Sequence, residues 1–107
     1  MRRVAQVIRV RPDKADEYRE LHRDVPRPVL DRLRSRHIAN YSIHLYGDLL
    51  FAYFEYHGDD LVADLARLAD DEATQAWWHL TDSCQERVKE AGPEDRWASL
   101  EQVFLME

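Results

Sequence analysis

Glycine and cysteine are scarce in this chain. Three glycines in 107 residues leave no glycine-rich loop to cradle a phosphate. A single cysteine, Cys84, rules out an internal disulfide and suits a cytoplasmic setting. Long apolar runs are missing as well: the longest, Leu49 to Phe54, is far too short to span a bilayer. The amino-terminal stretch is broken by Gln6 and Arg9, so no secretion signal is expected. Basic residues are outnumbered, 15 Lys+Arg against 21 Asp+Glu, for a net charge of −6. An acidic chain without a Lys/Arg cluster argues against nucleic acid and anionic membrane as partners. His37, His44, His57 and His79 show no metal-ligand spacing, and no metal site is expected.

What is present is enough for one small core. Apolar residues make up 45% of the chain, and residues 1–107 read as a single domain. Arg3 to Val10 alternates as a strand, with Val4, Gln6, Ile8 and Val10 on one face and Ala5 and Val7 on the other. Pro12 and the acidic Asp13, Asp16 and Glu17 open a helix that runs to about Asp24. Pro26 and Pro28 interrupt it, and Val29, Leu30 and Leu33 resume helical spacing to His37. Ile38 to Tyr46 and Leu49 to His57 flank a Gly47-Asp48 turn and read as a hairpin. Gly58-Asp59-Asp60 caps a helix with Leu61, Leu65 and Leu68 inward. Asp70 or Asp71 starts another, expected to reach Ala91-Gly92-Pro93, with a stripe of Ala73, Trp77, Leu80, Cys84 and Val88. Ser99 to Met106 is the expected last strand. The order is β-α-β-β-α-β with the second helical region split, a ferredoxin-like α+β sandwich with helices on one sheet face. The opposite face also carries apolar residues, and a second copy is the economical cover, so a homodimer is expected.

Four residues apart on one helix, Tyr18 and His22 share a face. An imidazole can give and take a proton near neutral pH, but on the pair alone a surface histidine beside a half-buried tyrosine is the simpler reading. Trp77 fits the expected stripe and needs no function. Trp78 falls off it, beside Thr81 and Asp82, as a ligand platform or an interface residue would. Tyr41 follows Asn40 on a strand, and its hydroxyl needs a partner if buried. Cys84 reads as a small apolar residue.

Taken in order, these pieces resemble the L-rhamnose mutarotase family. The resemblance rests on Pro12-Asp13, Glu17-Tyr18, Leu21-His22, Asn40-Tyr41-Ser42-Ile43, Leu49 to Glu55, Trp77-Trp78 with Thr81-Asp82, and Val103-Phe104, almost end to end. It implies a dimeric α/β barrel and cofactor-free interconversion of the α and β anomers of L-rhamnose or a related monosaccharide. It also implies His22 as proton donor, with Tyr18, Tyr41, Trp77 and Trp78 at the sugar. The chemistry of ring opening adds an expectation of its own, that Tyr41 bonds the sugar and assists the anomeric proton, sharing in catalysis with His22. Two departures stand out: Pro26-Arg27-Pro28 replaces the family's Trp-Pro-Glu, and Gln102 replaces a Glu in the last strand. Two other readings compete. A small dimeric α/β-barrel monooxygenase would take a flat aromatic ligand or haem. A non-catalytic ligand-binding or dimerisation module would leave His22 in solvent, far from Trp78, whereas an enzyme would gather His22, Tyr41 and Trp78 in one cavity.

Overall fold

The computed structural model describes residues 1–89, 91–92 and 95–107. Its elements are β1 (Arg2–Val10), a short 3-10 turn (Pro12–Lys14), α1 (Ala15–Arg23), α2 (Arg27–Ser35), β2 (Ile38–Tyr46), β3 (Leu49–Tyr56), α3 (Leu61–Ala69), α4 (Glu72–Asp82), β4 (Gln85–Glu86) and β5 (Ala98–Ser99). The sheet is antiparallel in the order β2-β3-β1, with β4 and β5 both on the far side of β1. This is the expected ferredoxin-like α+β arrangement. Gly47 takes φ +60° in the β2–β3 turn, where a tight hairpin needs a positive φ and glycine meets it without strain.

Local chemistry explains the helix starts. Asp60 accepts a hydrogen bond from the Ala63 amide at 3.1 Å and Asp71 one from the Thr74 amide at 2.9 Å. Pro28 does not break the chain but sits in the first turn of α2, where a missing N–H costs nothing.

Three expectations need correction. First, α4 ends at Asp82, not near Gly92 (Pro93 lies outside the described residues). The following segment is captured by the edge of β1 instead: Arg11 donates to the Cys84 carbonyl at 2.8 Å, and Gln85 and Glu86 pair with Val10 and Arg9. Cys84 and Val88 are buried from this non-helical segment. Second, the inward face of α4 carries Thr74 and Thr81, both buried, while Leu80 is exposed. Positions 74, 78 and 81 recur at helical spacing, so Trp78 lies on the same side of α4 as the buried threonines, though it remains 39% exposed. Third, the last strand is only Ala98–Ser99. Its pairing with Gln6 and Val7 ends after the Leu100 amide donates to the Ala5 carbonyl at 2.8 Å, and residues 100–107 leave the sheet.

The core lies between the sheet and the helices in two clusters. One holds Ile8, Val10, Tyr18, Leu50 and Cys84; the other holds Ile38, Phe54, Tyr56 and Leu68. A polar knot anchors α3 to the second: the Tyr56 hydroxyl donates to buried Asp64, and Arg67 reaches the same carboxylate at 3.3 Å. These bonds hold Asp64 below the ordinary carboxylate range, and the Thr74 amide with Arg32 does the same for Asp71. A depressed folded-state pKa contributes stability that is present above the unfolded value and lost as pH falls through the folded one. Unfolding midpoints in urea should therefore drop as pH falls below about 4, and Asp64→Asn should flatten that drop. Equal midpoints on both sides of that pH would contradict the anchoring role.

Candidate active site

Between the two clusters the helices stand off the sheet and leave a cavity of ≈ 380 Å³, joined through shared walls to a second space of ≈ 230 Å³. Every residue singled out from the sequence lines the larger one: Tyr18, His22, Tyr41, Trp77 and Trp78. His22 thus shares a cavity with Tyr41 and Trp78, the arrangement expected of an enzyme and not of a surface module. Aliphatic side chains of α2 and β2 supply most of the remaining wall, so a few polar groups project into an otherwise apolar space.

One turn of α1 sets the Tyr18 and His22 rings against each other, with centroids 4.3 Å apart and planes tilted by 34°. The His22 Nδ1 lies 2.8 Å from the carbonyl oxygen of Tyr18. A carbonyl only accepts, so Nδ1 carries the hydrogen and the neutral ring presents its lone pair at Nε2. Trp77 meets the imidazole edge-on at 5.1 Å and restrains its plane. The histidine is therefore held in one tautomer and one orientation.

Tyr41 reaches the cavity through an irregularity in β2. Between Ala39 and Ser42 the register shifts, so Asn40 and Tyr41 together oppose Phe54, and Asn40 takes φ +50°. The bulge turns Tyr41 to the helix side of the sheet, onto Phe54 with ring centroids 5.4 Å apart. Asn40 bonds Glu55 at 2.7 Å on the opposite side. Tyr41 is 40% exposed, but its hydroxyl end is enclosed, and loss of hydration pushes its pKa up to about 12. Burial also raises Tyr18, against a hydrogen bond from Gln85 Nε2 at 3.2 Å that favours the ionised form. Both phenols are neutral at physiological pH and act as hydrogen-bonding groups, not as bases.

A polar chain behind Tyr18 was not foreseen from the sequence. Asp82 Oδ1 pairs with Arg96 Nε at 2.9 Å, Arg96 Nε donates to Gln85 Oε1 at 3.1 Å, and Gln85 in turn holds the Tyr18 hydroxyl. Gln85, Arg96 and Trp97 line the smaller space. Their spacing carries no motif; the third indole of the chain, Trp97, was the one available hint. The departures at Pro26-Arg27-Pro28 cap and begin α2 and do not themselves line the larger cavity, although Val25 and Val29 on either side of them do. Cys84 is fully buried, its thiol 3.1 Å from Glu17 and pushed up by burial, as suits a packing residue.

The family model described as L-rhamnose mutarotase matches residues 3–106. The chain belongs to the L-rhamnose mutarotase family. Similar members include the L-rhamnose mutarotase of Bacillus subtilis (strain 168), 32% identical over 73% of this chain and 74% of that protein. The L-rhamnose mutarotase of Listeria monocytogenes serovar 1/2a is 35% identical over the same shares. Among solved structures, an L-rhamnose mutarotase from Formosa agariphila superposes over 100% of both chains with a TM-score of 0.78 at 23% identity. Tetracenomycin F2 cyclase from Streptomyces glaucescens, a polyketide cyclase, follows with a TM-score of 0.68 at 15% identity over 100% of both chains. At such identities the superpositions speak for a shared fold. The mutarotase family thus uses a scaffold that other chemistries also occupy.

Proposed function

We propose that this protein is an isomerase that interconverts the α and β anomers of L-rhamnose or a closely related monosaccharide without a cofactor. Residues 1–107 would act as one domain, in a cytoplasmic homodimer. Family membership supports the reaction. The observation that carries the site is His22, fixed by its Nδ1 bond and by Trp77, facing a cavity it shares with Tyr41 and Trp78.

Mutarotation breaks the bond between the anomeric carbon and the ring oxygen, rotates the aldehyde and closes the ring on its other face. The ring oxygen must gain a proton while the anomeric hydroxyl loses one. Protonated at Nε2, His22 gives a proton to the ring oxygen as the C–O bond breaks, and takes it back on closure. The anomeric hydroxyl bonds Tyr41, whose neutral phenol accepts that proton only as its own leaves for solvent. Tyr41 therefore relays a proton and does not store one. Trp77 and Trp78 stack on the C–H faces of the sugar and keep water from the open-chain form. Tyr18, held by Gln85, orients a sugar hydroxyl and the imidazole.

Exchange NMR on the anomeric protons tests this reading. L-rhamnose is compared with L-fucose, D-galactose and D-glucose, with and without protein. Faster exchange is expected for L-rhamnose. No acceleration with any of the four would overturn the proposal.

A further inference from the structure

Four polar side chains are buried among the described residues: Asp64, Thr74, Thr81 and Gln85. Three have local tasks. Asp64 takes the Tyr56 hydroxyl and Arg67, Thr74 bonds the α4 cap Asp71 at 2.9 Å, and Thr81 bonds the Trp78 carbonyl at 3.3 Å. Gln85 differs. It is 4% exposed, and both ends of its amide go to groups distant in the chain. Its Oε1 accepts from Arg96 Nε at 3.1 Å, and its Nε2 donates to the Tyr18 hydroxyl at 3.2 Å. Packing alone does not ask for an amide here, since an apolar residue of similar shape among apolar partners would be nearly neutral.

The chain of bonds has a sense, and Arg96 sets it. An amide alone has none, because half a turn exchanges its oxygen and its nitrogen. A guanidinium donates and never accepts, and it stays charged. The oxygen of Gln85 must therefore face Arg96, which leaves the amide hydrogens for Tyr18. The Tyr18 oxygen is then the acceptor of that bond. Its own single hydrogen cannot lie on the side where it receives another. Among the described residues that hydrogen has no acceptor in the protein. Tyr18 lines both joined spaces, so the hydrogen points into the cavity. Burial keeps the phenol protonated, so the hydrogen is there to be given.

Arg96 is itself fixed by the end of α4. Its Nη2 donates to the Asp82 carbonyl at 2.7 Å, and its Nε lies 2.9 Å from Asp82 Oδ1. Asp82 is the last residue of α4, so that carbonyl has no partner inside the helix. The negative end of the helix dipole favours a cation there. Gln85 in turn is held by the pairing of its backbone with Val10 of β1. Helix end, strand edge and guanidinium thus converge on one hydroxyl. Asp82, Gln85 and Arg96 all line the smaller space beside Tyr18.

We infer that Arg96 and Gln85 are positioning residues that turn the Tyr18 hydroxyl into the cavity, so that Tyr18 meets the substrate as a hydrogen-bond donor only. The consequence for specificity rests on the function proposed above. With His22 at the ring oxygen and Tyr41 at the anomeric hydroxyl, Tyr18 serves one of the remaining hydroxyls. That hydroxyl must offer a lone pair. Fluorine in its place still accepts, weakly. An ammonium in its place sets donor against donor, so the site takes a neutral sugar and rejects an amino sugar charged at that carbon.

Gln85→Glu reverses the sense without changing the size. An ionised carboxylate has two acceptors and no hydrogen to give. It keeps Arg96 as an ion pair and takes the Tyr18 hydrogen, which turns the hydroxyl round. Anomer exchange is measured by NMR for L-rhamnose and for its three analogues with fluorine in place of one non-anomeric hydroxyl. For one analogue, kcat/KM relative to L-rhamnose should fall by roughly tenfold in Gln85→Glu, because a lone pair then faces fluorine. An equal loss for all four sugars, the mark of a merely structural role, overturns the inference, and so does no loss. A second measurement needs neither sugar nor activity. In the unaltered full chain, nuclear Overhauser contacts should join the Gln85 side-chain amide protons to the Tyr18 ring, and Arg96→Met should weaken them. Contacts from those protons to Arg96 instead, or contacts unchanged in Arg96→Met, overturn the inference. Arg96 is partly exposed, with 38% of its side chain open to solvent, so its variant keeps the test valid should Gln85→Glu fail to fold. If no sugar is accelerated at all, the proposed function fails while the amide contacts still decide the sense of Tyr18.

Discussion

His22→Gln is expected to remove the catalysed part of anomer exchange, a loss of roughly 10²–10⁴-fold, the range that positioned acid–base groups supply. Glutamine keeps a hydrogen-bonding end of similar reach but cannot cycle a proton at neutral pH. Among the described residues of this cavity no other group can replace it. Tyr41 and Tyr18 are both held neutral by burial, the former with a pKa of about 12. Asp82 lines the adjoining space but is paired with Arg96 at 2.9 Å. The comparison variant is Tyr18→Phe. It removes the hydroxyl bonded by Gln85 but leaves the backbone carbonyl that holds His22 Nδ1, so the rate should fall only modestly. Exchange NMR on L-rhamnose with each variant at equal concentration measures both. Wild-type exchange in His22→Gln would remove His22 from the mechanism and leave the cavity a binding site.

The largest stability loss is expected at Ile8. It is fully buried at the middle of β1, opposite Leu50, and packs with Val10, Tyr18 and Cys84. Ile8→Ala deletes three carbons from a site bounded by sheet and helix, where neighbours can relax only partly. The cost is about 2–5 kcal/mol, against a total stability of about 5–15 kcal/mol for a domain. The melting temperature should fall by more than about 10 °C in a chain of this size. Calorimetry and urea unfolding check it. A loss below about 1 kcal/mol would mean that the Ile8 contacts are not the packing that holds α1 to the sheet. Because Tyr18 belongs to the same cluster, the variant should also loosen the cavity floor. Its activity is best compared well below its melting range.

Much of the fold was legible because the determining interactions are local. Alternation in Arg3–Val10 and across the Gly47 hairpin specifies strands and their inward rows. Asp60 and Asp71 mark helix starts because a carboxylate can accept the free amides of a first turn. The four-residue spacing of Tyr18 and His22 places both rings on one face whatever the helix packs against. Nearly all of the candidate site could be named this way, from residue types that stand out and a resemblance that orders them.

Competition between distant segments settled the rest. α4 stops at Asp82 because the β1 edge offers hydrogen bonds to Cys84 and Gln85, and a helix running to Gly92 would forgo them. With that helix shortened, Cys84 and Val88 leave the stripe, Thr74 and Thr81 become its buried side, and Trp78 faces the cavity beside them. Gln85 meets Tyr18 across 67 residues of chain, a contact that no window of sequence contains. Tyr41 faces the cavity together with Ile38 only because one extra residue is absorbed at Asn40. The carboxy-terminal segment has the pattern of a strand, but it pairs with β1 only at Gln6 and Val7 before it leaves that edge. Residue pattern specifies what a segment can form. Which edge receives it depends on hydrogen-bonding groups brought near from elsewhere in the chain, and these exist only once the sheet has assembled.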